Sequence, residues 1–405
     1  MNVAPAASAP WTKGLNPLGL TNLEVASGVV LGPMSCEPFP EADTDPLQAL
    51  YTEARKILDR GRCVVAFSGG RDSSAVLSVL LHVARREGFE DPLALTARWP
   101  GDTASDESAW QEHVARELDL RRWEIVTPGG DVDLLGPVTT DLLRRHGLLW
   151  PAPVAVLLPL LEAVGDGILV TGEGGDEVFG VWSLANPWSQ LRSGRNVRRS
   201  LRSLVSATLP STLRQRRALA TAMPYQDWLT SLGTAFYRPA LAAEMVSVGP
   251  LWWPDYLREV HAERGLRLSA QTLALLCAER GASFAAPLLA PSFLAALARG
   301  GGRLGYGDRT ATMRSVFSPL LSDAILSRVS KANFGGVFWG EATRRFARKW
   351  NGEGLDHDLV DVARLQAVWL GPAPVYGAAL PLHAAWLASS GQSLGWEEPP
   401  GVSAP

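Results

Sequence analysis

Cysteine is scarce in this sequence. Three in 405 residues (Cys36, Cys63 and Cys277), odd in number and far apart, offer neither a disulfide frame nor a metal knuckle. The six histidines are equally scattered, with no HxH or HExxH spacing. An excess of one charge is missing too. The 38 basic and 41 acidic residues leave a formal −3, so no global field draws the chain to a nucleic-acid backbone or an anionic membrane. The best apolar stretch, residues 151–170, is broken by Pro159, Glu162 and Asp166 and will not span a bilayer. The amino end lacks the charged-then-apolar build of a secretory signal. These absences lead us to expect a soluble, cytoplasmic protein without nucleic-acid or membrane partners.

What is present is apolar surface enough for a core: 46% of residues are hydrophobic and 20% charged, in a length that suggests roughly two domains. Residues 1–45 carry no sustained period and read as an irregular arm with one short strand near 25–31. A helical pattern follows over 46–62 (Leu47, Leu50, Ala54, Leu58). Short apolar runs then alternate with helical spacing. Strands are expected at 63–67, 93–99, 123–127 and 168–171, and helices at 72–86, 105–118, 132–146 and 154–164. Such alternation predicts an α/β fold over 46–180, a parallel doubly wound sheet with its ligand at the carboxyl ends of the strands. From 181 to 387 the strands give way to helical patterns with proline breaks, and 388–405 reads as a disordered tail. Eight arginines fall within 192–217 and read as the solvated face of a surface helix, with a patch for an anionic substrate or partner as the alternative. The fifteen tryptophans, the pair Trp252-Trp253 included, read as core and interface residues.

Two loops carry chemistry. The first, Ser68-Gly69-Gly70-Arg71-Asp72-Ser73-Ser74, lies between an expected strand and a helix amino end. Adjacent glycines let the backbone turn tightly and present successive N–H groups to an anion, and the helix terminus and serine hydroxyls add to the attraction. Asp72 would repel a phosphate unless a divalent cation lay between them. The loop therefore reads as a pyrophosphate cradle with a metal ligand, and it is not the GxxxxGK[ST] loop, which is absent from the chain. The second loop, Thr171-Gly172-Glu173-Gly174-Gly175-Asp176-Glu177, also follows a strand. Its acidic residues could simply cap a helix, but that leaves the interleaving of Glu173 with three glycines unexplained.

The pair SGGRDSS and GEGGDE resembles the ATP-pyrophosphatase half of the asparagine synthetase family, which includes β-lactam synthetases and lasso-peptide cyclases. The resemblance extends over roughly residues 60–340 and takes in DESAWQEHVARELDL at 106–120 and LLSDAILSRVSKANF at 320–334. It implies an adenine nucleotide α-hydrolase-like sheet and a mostly helical carboxyl-terminal region that completes the site. It also implies an AMP-forming ligase. Such enzymes adenylate a carboxylate with ATP and Mg2+, release pyrophosphate and let ammonia or an amine attack, as in asparagine biosynthesis. Carried over, Ser68, Gly69, Gly70, Ser73 and Ser74 would hold the phosphates, with Asp72 and Asp176 on magnesium. Phe67, Ala97, Thr171 and Gly172 would frame the adenosine. Glu173 matches the glutamate that serves acyl-adenylate formation and amine attack. Lys331 matches a lysine that neutralises charge developing on the phosphate.

Departures from the family pattern are as informative. Asparagine synthetases begin with a glutaminase whose cysteine follows the initiator Met. Here residue 2 is Asn2 and only about 60 residues precede the first loop. A glutaminase is not expected, so ammonia would come from solution or from a separate glutaminase subunit, unless the nucleophile is a larger amine. At Phe284–Ala290, Ala285 and Ala290 replace the family's Arg and Asp, which places aspartate as substrate in doubt and leaves a small-molecule or peptide carboxylate open. Two rivals stand beside the ligase. One is a nucleotide-binding partner subunit without catalysis. The other is a serine hydrolase using Ser68 on an Ala-Phe-Ser-Gly-Gly elbow, with His357 or His383 as base.

Overall fold

The computed structural model describes residues 16–42, 44–99, 106–128, 132–180, 182–194, 196–329, 338–372 and 374–391. Among them, five strands form one parallel sheet: β1 (Cys63–Ala66), β2 (Leu93–Ala97), β3 (Trp123–Val126), β4 (Ile168–Val170) and β5 (Ser283–Ala285). Their order is β3-β2-β1-β4-β5, with Val64 standing between Leu93 on one side and Leu169 on the other. The runs Cys63-Val64-Val65 and Ile168-Leu169-Val170 are buried throughout, as strands covered on both faces must be. The doubly wound α/β sheet expected from the alternation is therefore present.

Early helices are α1 (Asn22–Ser27), α2 (Pro46–Leu58), α3 (Arg71–Glu87), α4 (Ser108–Glu117), α5 (Pro137–His146), α6 (Leu158–Val164) and α7 (Gly175–Gly180). After them come α8 (Ala185–Arg192), α9 (Val197–Ala207), α10 (Ser211–Thr221) and α11 (Ser231–Ser247). Next stand α12 (Trp253–Ala262), α13 (Arg264–Ala278), α14 (Pro291–Gly301) and α15 (Arg309–Phe317), with shorter helices running on to Ser389. Two hydrophobic cores result. One surrounds the sheet (Val65, Leu95, Leu169, Phe293); the other joins α1 to the last helices through Trp228, Trp369, Leu380 and Ala384.

Two expectations are corrected. The strand near 25–31 is instead α1. Thr21 and Glu24 form a reciprocal capping box, and Gly28, at φ 69°, ends the helix, so local capping decides the segment. Strands also do not stop at 181. β5 comes from the Phe284–Ala290 neighbourhood and pairs with β4, Leu169 opposite Phe284. Three residues, Ser283-Phe284-Ala285, carry too little pattern to announce a strand. The helix expected at 154–164 opens as a 3₁₀ turn over 152–157 before α6. Trp253 is buried against Trp182 and Tyr256, and Trp252 stacks on Trp188, so the tryptophan pair is structural. The tail from 392 lies outside the described residues.

The strand order reverses between β1 and β4. From β1 the chain moves outward to β2 and β3, and it then crosses to β4 and β5 on the other side. A crevice opens at the carboxyl ends of strands that diverge in this way. Both glycine-rich loops leave from those two strand ends.

Candidate active site

The first loop turns β1 into α3. Gly69 adopts φ +81°, and a Cβ there would come within 2.9 Å of the Gln111 side chain, so only glycine lets α4 close over the loop. Trp110 Nε1 donates to the Gly69 carbonyl at 2.9 Å and Gln111 Nε2 to the Ser68 carbonyl at 3.3 Å. Inside the loop the Ser68 and Ser73 hydroxyls are 3.1 Å apart, and Gly70 N–H donates to Ser68 Oγ at 3.2 Å. The serine hydroxyls thus hold the loop in shape ahead of any ligand. Arg328 closes the outside: its guanidinium pairs with Glu107, lies 4.7 Å from the Trp110 ring and donates to the Gly69 carbonyl at 3.3 Å.

The second loop passes directly over the start of α3. A Cβ on Gly172 would sit 2.9 Å from the Asp72 carbonyl carbon, and one on Gly175 only 2.3 Å from Asp72 Cγ. Gly174, at φ +83°, leaves no room for a Cβ against Leu289. Two of the three glycines therefore exist to bring Asp176 beside Asp72. Arg309, the first residue of α15, holds the pair: Nη2 reaches Asp72 Oδ2 at 2.6 Å and Nη1 bonds Asp176 Oδ1. Burial works against the Arg309 charge, but the two carboxylates outweigh it and raise its pKa.

Beside them lies a buried acid. Ser269 Oγ on α13 donates to Glu173 Oε1 at 2.6 Å. Burial pushes the Glu173 carboxyl up, the Ser269 bond pulls it down, and Asp176 adds to the rise. Glu177 is pushed up to about 7 by burial and by the neighbouring Glu173, Asp176 and Asp72 carboxylates.

These groups line a cavity of about 520 Å³ between the loops, walled also by Leu157 and Leu273. Ser68, Gly70, Asp72, Ser73, Thr171, Gly172, Glu173 and Asp176 all face it. Phe67, Gly69, Ser74 and Ala97 stand behind that wall. Phe67 is buried edge-on to Trp123, Gly69 turns the loop backbone, Ser74 is buried within α3, and Ala97 ends β2. Lys331 lies outside the described residues. Ala285 and Ala290 are both buried and are not among the residues lining this cavity. A second cavity, about 500 Å³, shares Glu177 with the first and is lined by Glu244, Glu259 and Glu263.

Neither histidine offered as a base reaches Ser68. His383 is buried in the second core on the Leu134 carbonyl, and His357 meets the Gly352 carbonyl. Sequence reasoning did not single out Arg309 or Ser269. Both come from helices far along the chain, outside the two glycine-rich acidic loops, and only tertiary contact gives them a role.

A parallel sheet with two glycine-rich loops and paired carboxylates at its switch point has the architecture of the doubly wound, ATP-pyrophosphatase-like α/β class. Residues 53–186 match the family model described as asparagine synthase. The chain thus carries an asparagine synthase-family domain, a family of ATP-dependent amide-forming ligases. The match ends before β5, Ser269, Arg309 and Arg328. No curated protein matches the chain.

Proposed function

We propose that the protein is an AMP-forming amide ligase. It would adenylate a carboxylate with MgATP in the cavity between the two loops and pass the acyl group to ammonia or an amine. The observation that carries this reading is the meeting of Asp72 and Asp176 through Arg309 at the β1/β4 crevice, beside the amino end of α3. Two carboxylates so close demand a cation, and Arg309 supplies one. The donor set suits magnesium, which is commonly held by one or two carboxylates and completed by substrate phosphates. Held by Asp72 and Asp176, magnesium would supply positive charge to neutralise the phosphates. The chain's own residues then do the rest. Backbone N–H groups and Ser68 orient the phosphates, and the α3 amino end favours their charge. Glu173 lies deep enough to meet the reacting carbonyl, its proton affinity set by burial against the Ser269 bond. Lys331 is proposed, from the motif alone, to neutralise the phosphate.

Alanine at 285 and 290, where the resemblance places an Arg and an Asp, removes the charged pair that would suit free aspartate. A larger, less polar carboxylate, small molecule or peptide, suits the chain better. Pyrophosphate release from MgATP is the direct test, run across a panel of amino acids, other carboxylates and peptides, with and without ammonium. Release of pyrophosphate and AMP with one acid supports the ligase. ATP binding without release on any acid would favour the non-catalytic partner subunit instead.

A further inference from the structure

No aspartate or glutamate occurs between Glu177 and Asp227, while eight arginines crowd into 192–217. In a chain of net charge −3 this is a segregated positive surface. Its described part spans α9 and α10. Arg198, Arg199, Arg202, Arg216 and Arg217 are all exposed. None of them enters an ion pair among the described residues.

A merely solvated basic helix has no use for exposed apolar side chains, yet α9 has a row of them. Val197, Leu201 and Val205 follow at i, i+4 and i+8, exposed to 38%, 45% and 61%. Helical geometry sets them side by side, flanked by Arg198 and Arg202, while Ser200 and Leu204 form the buried edge. α10 adds Leu213, also exposed, and buries none of its own residues. α10 is nevertheless pinned in place. Arg214 donates to the Ala207 and Val246 carbonyls, tying α10 both to the end of α9 and to α11. α11 in turn supplies Ala240, Ala243 and Glu244 to the acidic cavity that shares Glu177 with the nucleotide site.

We propose that α9, with the adjoining exposed arginines of α10, is a docking surface for an acidic peptide segment. Carboxylates of the segment would meet the exposed arginines, and its apolar side chains would cover the Val197–Leu201–Val205 row. Charge complementarity selects the sign of the partner, and the apolar row beside the arginines selects a peptide over a bare phosphate backbone. A membrane surface suits it less well, since interfacial helices bury Trp, Phe and Leu opposite their basic face, whereas this row is short and lies alongside the arginines.

The test is fluorescence anisotropy on the full chain with a labelled peptide of about fifteen residues alternating Glu–Glu–Leu, beside its Gln–Gln–Leu counterpart. Duplex DNA and phosphatidylglycerol vesicles are the other probes. We expect binding of the acidic peptide alone, weakened at least about tenfold by Arg198→Glu with Arg202→Glu and by added salt. Leu201→Ser with Val205→Ser should weaken it several-fold without changing its salt dependence. Arg198→Gln with Arg202→Gln keeps the test valid should charge reversal disturb folding. Equal affinity for wild type and the arginine variants would overturn the proposal. So would tighter binding to DNA or vesicles than to peptide, or indifference to the apolar changes. Catalysis enters none of these readouts, so failure of the ligase reading would show separately, in pyrophosphate release.

Discussion

Gly175 shows how much of the site rests on a missing carbon. A Cβ at this position would lie 2.3 Å from Asp72 Cγ, so Gly175→Ala has to push Asp72 away from Arg309 and Asp176. Pyrophosphate release should fall at least about a hundredfold in this variant, with the fold intact by circular dichroism, because positioning errors of an ångström carry such costs. Release within a few-fold of wild type would show that the two loops do not act as one site. Arg309 is the converse case. Arg309→Met removes the guanidinium that bridges Asp72 and Asp176, which should cost on the order of 2 kcal/mol of stability in the absence of ligand. Magnesium should then raise the melting temperature of the variant more than that of wild type. An unchanged melting temperature, with or without magnesium, would remove Arg309 from the carboxylate pair. The glycines and carboxylates were legible in the sequence because their spacing is unusual. Arg309 was not, since one arginine among many signals nothing until folding brings α15 over α3.

Elements decide how these residues meet. β1 and β4 were readable as short apolar runs ending in glycine-rich turns, and the parallel sheet they imply places both loops at one crevice. β5 was unreadable at three residues, and α1 was misread because its apolar residues outweighed a capping box. α13 contributes through Ser269, whose bond holds the Glu173 carboxyl below where burial alone would put it. Ser269→Ala should therefore raise the Glu173 pKa further. If Glu173 acts as a carboxylate, the acid limb of the pH–rate profile must move to higher pH, with little change in ATP affinity. A profile that stays in place would separate Glu173 from the rate.

For the whole molecule, the acidic cavity between α11, α12 and α13 has its own consequence. Burial, with Glu177 and Glu244 nearby, pushes Glu263 up to about 7. A carboxyl raised in the folded state favours folding fully below its unfolded pKa of about 4.5 and loses that contribution as pH climbs through about 7. Urea midpoints should accordingly fall between those limits. Glu263→Gln should flatten the decline, gaining up to about 3 kcal/mol at neutral pH. A variant whose midpoints track wild type at every pH would show that Glu263 ionises without cost.

By itself the sequence determined the α/β alternation, the two loops and the acids they carry, because strand hydrophobicity and glycine spacing are local properties of the chain. Tertiary structure alone decided that Arg309 bridges Asp72 and Asp176, that Ser269 supports Glu173, and that β5 closes the sheet. It also decided that a run of arginines becomes one surface beside an exposed apolar row. Each of these joins residues far apart in the chain, and no local pattern records a contact that exists only once the chain has folded.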